Sequence, residues 1–144
     1  MALKTVTVES KLDAKFKIES TVSGHQVIVD QPAAAGGGAE GPTPLEYLLV
    51  SLAGCVGSIG RIVAMQNQLP LNGMTISVEG DINVDGLLGK PSEDPVGFKE
   101  IRVKVDVDAD MTSEEKATFV HDVDERCPIS WNLLNVSAVS VSAV

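Results

Sequence analysis

Aromatic and basic side chains are both scarce in this sequence. Phe, Trp and Tyr make up 3% of its 144 residues, which argues against a base-stacking platform or an aromatic ligand cage. The 11 Lys and Arg residues are outnumbered by 20 Asp and Glu, which leaves a formal net charge of −9. A surface of that sign repels phosphate backbones, so we expect no nucleic-acid partner.

Membrane-length apolar runs and targeting signals are also missing. The longest apolar stretch, Leu45–Val56, is interrupted by one Glu, one Ser and one Gly. It falls short of the roughly 20 residues that a bilayer requires. Met1 is followed by Lys4 and alternating Thr and Val, not by the apolar centre of a signal peptide. We therefore expect no membrane span and a cytoplasmic location.

The remaining composition, 44% hydrophobic and 22% charged, is typical of one globular domain with its own core. Alternating polar and apolar residues in the first third predict an antiparallel meander with one solvated face. Turns are expected at Lys11–Ala14 and Ser23–Gly24. The predicted strands are Lys4–Glu9, Lys15–Glu19 and Gln26–Asp30.

A helix start follows the glycine-rich loop Pro32–Pro42. Thr43 suits the N-cap, Pro44 the first helical position, and Glu46 completes a capping box. The helix is predicted from Pro44 to about Gln68. Because it is apolar almost all round, we expect it at the centre of a domain or an oligomer.

Glycines recur every third residue in the middle of this helix, at Gly54, Gly57 and Gly60. Each costs about 1 kcal/mol of helix stability relative to alanine. The rhythm indicates either a weak helix or close packing on one face, and we favour close packing.

The second half of the chain predicts a long hairpin, a capped helix and a closing strand. Thr112 and Glu115 form a second capping box, and that helix should end near Arg126. The order β-β-β-α-β-β-α-β predicts an α+β fold with a mostly antiparallel sheet. No repeat or linker divides residues 1–144, so we expect a single domain. The predicted strands of this half are Met74–Val84, Phe98–Asp108 and Val136–Val144.

Metal and cofactor motifs are missing as well. The two cysteines, Cys55 and Cys127, lie 127 − 55 = 72 residues apart, and the two histidines, His25 and His121, have unrelated spacing. No zinc, Walker or dinucleotide pattern is present. We therefore expect no metal and no cofactor.

Each cysteine taken alone has two interpretations. Cys55, in the middle of the helix, suits a small buried core residue. Cys127 lies at a helix end before Pro128, where a thiol should be partly exposed. A helix restarting at Pro128 would present free amides that favour a Cys127 thiolate. Alone, Cys127 is balanced between a structural and a functional role.

Two segments considered together point to a family. Gly41-Pro42-Thr43-Pro44-Leu45-Glu46 leads into Leu52-Ala53-Gly54-Cys55, and Cys127-Pro128-Ile129-Ser130 follows downstream. This pattern resembles the OsmC/Ohr family of osmotically inducible and organic-hydroperoxide-resistance proteins. The resemblance extends over essentially the whole chain, because the order of strands and helices also matches.

The resemblance implies a cofactor-free thiol peroxidase in an intertwined homodimer with sites at the subunit interface. The helix cysteine of the family is peroxidatic, which corresponds to Cys55, and the cysteine of the Cys-Pro motif is resolving, which corresponds to Cys127. Organic hydroperoxides would be substrates, and a dithiol or lipoyl group would be the reductant.

Family members supply an arginine from an early strand turn, held by a glutamate at the start of the cysteine helix. Here no arginine precedes Arg61, and Leu45 occupies the glutamate position. Glu46 is the nearest catalytic candidate. Nine residues at about 100° each place it roughly opposite Cys55, so we favour capping as its role. The candidate replacement cations are Lys15, Lys17, Arg61, Arg102 and Arg126.

Three functions remain open. The first is reduction of organic hydroperoxides through Cys55 and Cys127. The second is a non-catalytic OsmC-fold protein that binds a small hydrophobic ligand at the dimer interface. The third is a structural subunit whose acidic surface docks a basic partner.

Overall fold

The computed structural model describes residues 3–144, and this part of the chain is an α+β protein with antiparallel sheets and three α-helices. It divides into two compact units, residues 3–48 and 49–144. The α+β class is as predicted, whereas the assignment to a single domain stays a prediction.

The first unit contains a three-stranded antiparallel meander of β1, β2 and β3 in that order. The predicted turn at Ser23–Gly24 is confirmed, and both residues adopt positive φ angles, 49° and 81°. The strands are β1 (Glu9–Leu12), β2 (Ile18–Val22) and β3 (His25–Val29).

The first strand lies further along the chain than the alternation predicts. Asp13 N–H donates to the Lys17 carbonyl, and Asp13 Oδ1 accepts from Lys15 N–H at 2.7 Å. This Asx-type turn fixes the register that pairs Leu12 with Ile18. The pairing therefore falls on Glu9–Leu12 rather than on Lys4–Glu9.

A buried carboxylate organises the glycine-rich loop after β3. Asp30 is 1% exposed. Its Oδ1 accepts from Gln31 N–H at 2.7 Å, and its Oδ2 accepts from Gly38 and Glu40 N–H at 3.1 Å each. Hydrogen bonds from these backbone N–H groups, that of Gln31 first, lower the pKa of the Asp30 carboxyl. The loop is therefore closed around one ionised side chain.

Helix α1 runs from Pro44 to Gln66, close to the predicted range. The first capping box is confirmed: Thr43 N–H donates to Glu46 Oε2 at 2.7 Å, and Glu46 N–H donates to Thr43 Oγ1 at 3.3 Å. At the other end Gln68 has a φ of 54°, which ends the helix before Pro70.

The second unit combines most of α1 with a long hairpin and two further helices. The second predicted capping box, between Thr112 and Glu115, is confirmed. The elements are β4 (Leu71–Ile82), β5 (Phe98–Ala109), α2 (Ser113–Glu125) and α3 (Pro128–Leu134). Their core consists of Leu52, Val56, Val63, Ala64, Val107, Phe119, Val123 and Cys127.

Two of the three helix glycines are closely packed, as we expected. A Cβ on Gly60 would lie within 2.5 Å of the Met74 methyl, and one on Gly57 would lie 3.3 Å from Ile76 Cδ1. Gly54 instead has nothing within 4 Å in this chain. Close packing therefore explains Gly57 and Gly60, but not Gly54.

The predicted closing strand is wrong. Residues Val136–Val144 form no strand, and Val136 and Val141 are 99% and 95% exposed. Alternation makes the segment competent to pair, but a strand also needs a neighbouring edge to hydrogen-bond. In the described residues this segment pairs with none, and the third helix, α3, is the last regular element.

The apolar part of helix α1 is longer than the stretch Leu45–Val56 that the sequence suggested. Small and apolar residues continue beyond Val56, so the 23-residue helix meets the membrane-spanning criteria by length and composition alone. Its most apolar 18-residue window is 28% buried in this chain. The expectation that no segment would reach this length is therefore wrong, although the test is also passed by core helices of soluble proteins.

The Asp30 contacts predict an acid-sensitive contribution to stability. Because the native pKa is lowered, the contribution is fully present above the unfolded pKa of about 3.9 and is lost as pH falls through the native value. Asp30→Asn should lower the melting temperature at pH 7, and the difference from wild type should shrink below about pH 4. Asp106→Asn, at an exposed position, is the matched control. A difference that is unchanged at pH 3 would contradict this account.

Candidate functional site

The structure brings together the two cysteines that lie 72 residues apart. Cys55 lies on the central helix α1, and Cys127 is the N-cap residue of α3. Cys55 packs against the core cluster that contains Cys127, and the Cys127 side chain is among the causes of the raised pKa of the Cys55 thiol. The two thiols are therefore neighbours in the fold.

Backbone amides at the start of α3 also face the sulfurs. Ser130 N–H donates to Cys127 Sγ at 3.4 Å. The backbone of Ile129 acts on Cys55 by lowering the pKa of its thiol. Pro128 suits the first helical position because its fixed φ fits a helix and no N–H is needed there.

The two thiols differ in accessibility. Cys127 is 1% exposed and belongs to the core with Phe119 and Val123, so the expectation of partial exposure is wrong. Capping α3 turns its side chain inward rather than toward solvent. Cys55 is half-buried and is the more accessible sulfur, whereas its position in the sequence favoured a core role.

Burial raises the pKa of the Cys55 thiol above its ordinary value, and the hydrogen bond with Cys127 adds to that shift. The Ile129 N–H acts in the opposite direction, because a donor to sulfur stabilises the thiolate. Within the second unit no cation contributes to the pKa of Cys55.

Four of the five candidate cations have other partners for their charged side chains. Arg61 donates to the backbone carbonyls of Leu71 and Asn72, and Arg126 donates to Gln66 Oε1 at 3.0 Å. Lys15 instead contacts Asp13 through its backbone N–H. The last two candidate cations form ion pairs. Lys17 pairs with Glu19 and Glu40, and Arg102 pairs with Glu79, Asp81 and Glu100.

Glu46 is exposed, and its side chain takes part in the N-terminal cap of α1. Its Oε2 accepts from both the N–H and the hydroxyl of Thr43, at 2.7 and 2.9 Å. These hydrogen bonds, that of the backbone N–H first, lower the pKa of the Glu46 carboxyl. The expected capping geometry is present, and its catalytic role stays a prediction.

The sequence interpretation missed Ile129, whose backbone N–H lowers the pKa of the Cys55 thiol. Every non-proline residue carries a backbone N–H, so side-chain type gives no signal for this effect. The pattern Cys-Pro-x-Ser could have indicated the N-cap relation of Cys127 to Ser130.

Within residues 3–144 no group of three or more His, Cys, Asp or Glu side chains is arranged to hold a metal ion.

The raised pKa predicts slow alkylation of Cys55 at neutral pH. Because only the thiolate reacts, its rate with iodoacetamide should rise about tenfold per pH unit between pH 7 and 9, without a plateau. Peptide mass spectrometry would report on Cys55 separately from Cys127. A plateau below pH 8 would show that a cation outside the second unit stabilises the thiolate.

Solved structures with the same fold come from several bacteria. The OsmC-like protein of Mycoplasma pneumoniae superposes with a TM-score of 0.80 at 22% identity, covering 92% of this chain and 89% of that one. An organic hydroperoxide resistance protein OsmC from Legionella pneumophila gives 0.69 at 20% identity, with 92% and 91% covered. A putative organic hydroperoxide resistance protein from Vibrio cholerae, with captopril in one active site, gives 0.64 at 16%, with 92% and 86% covered.

At these levels of sequence identity, the three structures establish only that this chain shares their fold. No curated protein matches the chain. The family model for OsmC-like protein matches residues 36–142, a range that includes both cysteines and all three helices. OsmC-like proteins are soluble, and core helices of soluble proteins pass the same length and composition test as α1. The matched range and the shared fold together show that this chain belongs to the OsmC-like protein family.

Proposed function

We propose that this protein is a thiol peroxidase that reduces organic hydroperoxides, with Cys55 as the peroxidatic and Cys127 as the resolving residue. The observation that carries the proposal is the packing of Cys55 against the core cluster that contains Cys127, the N-cap residue of α3. Accessibility supports this division of roles, because the half-buried Cys55 is open to substrate and Cys127 is enclosed.

The reaction balances with two thiols and one peroxide. The Cys55 thiolate attacks the O–O bond, the bond breaks, and the alkoxide leaves and is protonated to the alcohol. Cys55 becomes a sulfenic acid. The Cys127 sulfur then attacks Cys55 Sγ, a disulfide bond forms and water leaves. Overall the two thiols lose two electrons, and the peroxide is reduced by those two electrons. An external dithiol, including a lipoyl group, would restore both thiols by exchange.

The surroundings of Cys55 favour an alkyl or lipid hydroperoxide over a polar one. Cys55 packs against the apolar core of the second unit, together with Ile59 and Ile129. Apolar walls attract a hydrocarbon chain and exclude water from the reacting sulfur. The names of the Legionella and Vibrio proteins, which describe organic hydroperoxide resistance, agree with this choice.

We infer that the active form is an intertwined homodimer in the cytoplasm. Apolar residues on α1 remain exposed in a single chain, including Val50 at 59% and Met65 at 72%. A second copy would cover them. It could also supply the missing cation, and Glu46 Oε1, which is not used by the cap, would be available to orient it.

A second candidate function is binding of a small hydrophobic ligand without chemistry. The raised pKa of Cys55 favours it, because a thiol without a nearby cation is a poor nucleophile at pH 7. The second unit also contains an open cavity of about 610 Å³ with Val63, Leu69, Met111 and Phe119 in its lining. A ligand that copurifies with the protein and is detected by native mass spectrometry would support this function.

Peroxidase chemistry predicts a defined loss of thiols. Reduced protein should titrate two thiols per chain, and a small excess of cumene hydroperoxide should remove both and form a disulfide within the chain. Cys55→Ser should abolish peroxide consumption. Cys127→Ser should permit one round of oxidation without turnover. Thiol titration and intact-mass measurement would follow each step.

Ser58→Ala is the matched control for these variants. Ser58 lies three residues after Cys55, is exposed, and bonds only the Gly54 carbonyl of its own helix, so peroxide consumption should be unchanged. Full consumption by Cys55→Ser would rule out the mechanism.

The homodimer predicts a solution mass twice that of one chain by light scattering. Val50→Lys should weaken association by roughly 30-fold, or about 2 kcal/mol, because a charge would be buried in an apolar contact. Thr118→Lys, at an exposed position on α2, should leave the mass unchanged. A monomeric wild-type protein would contradict the dimer.

A further inference from the structure

The cavity of about 610 Å³ in the second unit lies where the end of α1 meets the start of α2. Its apolar walls come from both helices and from the links beside them. They are Val63, Leu69, Met111 and Phe119. A volume of several hundred Å³ with apolar walls and a few polar groups is typical of a pocket for a small organic molecule.

This cavity is separate from the cysteine site. Neither Cys55 nor Cys127 is among the described residues that line it. Val63 lies eight residues after Cys55 on α1, which is about two helical turns or roughly 12 Å. A ligand in the cavity would therefore bind without touching the Cys55 sulfur.

The charged part of the lining is entirely acidic. No Lys, Arg or His among residues 3–144 lines the cavity. These carboxylates are exposed or half-buried, whereas Val63 and Phe119 are buried, so the negative charges lie nearer to solvent than the apolar walls. The acidic lining residues are Asp110, Glu114, Glu115 and Asp122.

Helix stabilisation explains only part of this negative charge. Glu114 and Glu115 lie in the first turn of α2, and Glu115 completes the capping box. Carboxylates are favourable there because the helix dipole is positive at its N-terminus. Asp122 instead lies toward the C-terminal end of α2, and Asp110 precedes the helix. The helix dipole accounts for neither of them.

Asp122 also has no counterion in the part of the chain that the structure describes. Its side chain forms no ion pair or hydrogen bond with any residue of 3–144. Arg126, one turn further along α2, donates instead to Gln66 Oε1 at 3.0 Å. The carboxylate is therefore available to a ligand, and a concave apolar wall concentrates the negative potential in front of it.

We propose that this cavity binds a small organic cation, a primary alkylammonium, with its chain against the apolar walls and its charged group among the carboxylates. Charge complementarity selects this class, because an ammonium group has three donors for charge-assisted hydrogen bonds. A hydrocarbon chain gains free energy by leaving water for the apolar walls.

Other ligand classes fit the lining less well. A carboxylic acid or a phosphate would be repelled by the four carboxylates. A quaternary ammonium prefers a cage of aromatic rings, and Phe119 is the one aromatic residue among the described lining residues. The inference goes beyond the peroxidase proposal, and it gives the ligand of the second candidate function a chemical class.

The test is calorimetric titration of the full-length protein at low ionic strength with three probes of equal chain length: octylammonium, octanoate and octanol. Octylammonium should bind once per chain, and at least about tenfold more tightly than either of the others. Added sodium chloride should weaken octylammonium binding selectively, because salt screens the charge attraction.

Two variants test the acidic lining. Thr118 is an exposed lining residue of α2, one turn from both Glu114 and Asp122. Thr118→Lys would supply an ammonium group to these carboxylates and should weaken octylammonium binding about tenfold or more. Asp122→Asn removes one charge and should weaken it about threefold to tenfold. Asp106→Asn, an exposed position outside the lining, is the matched control and should leave the affinity unchanged.

Melting temperatures would identify a variant that fails to fold, and the other variant then tests the same carboxylates. Failure of octylammonium to bind, or binding that folded Thr118→Lys and Asp122→Asn both leave unchanged, would overturn the proposal. Octanol binding as tightly as octylammonium would keep a binding function but overturn the ammonium assignment. Thiol loss with cumene hydroperoxide is measured separately, so the peroxidase proposal can fail or hold independently of this one.

Discussion

The packing of Cys55 beside Cys127 is the interaction on which the proposed chemistry of this protein depends. One sulfur belongs to the central helix and the other caps a seven-residue helix. Burial raises the pKa of the Cys55 thiol, and the backbone N–H of Ile129 opposes that shift. The surroundings that the second unit supplies therefore favour the neutral form of Cys55.

This balance explains why the two proposed functions differ so little in structure. A peroxidase and a binding protein would share the apolar surroundings of Cys55 and the same enclosed Cys127. What distinguishes them is whether a positive group reaches Cys55. A homodimer connects both questions, because the exposed apolar face of α1 and the missing cation could be satisfied by the same second copy.

Local signals predicted much of the fold. Both capping boxes form at Thr43 and Thr112, and the long hairpin and the start of α1 follow the pattern closely. These features depend on hydrogen bonds and alternation within a few residues. The first strand and the predicted strand Val136–Val144 depend instead on register and on a pairing edge, which no local pattern encodes.

In the candidate site, too, some features follow from local sequence and others depend on tertiary packing. The sequence by itself determined which residues could react, because only two thiols are present and the Cys-Pro step restarts a helix at Pro128. Tertiary structure decided that Cys55 packs against the core that contains Cys127, that Cys127 is the buried one, and that Ser130 donates its N–H to Cys127 Sγ. Those outcomes depend on how α1, α2 and α3 pack, and packing joins groups that are 72 residues apart in the chain.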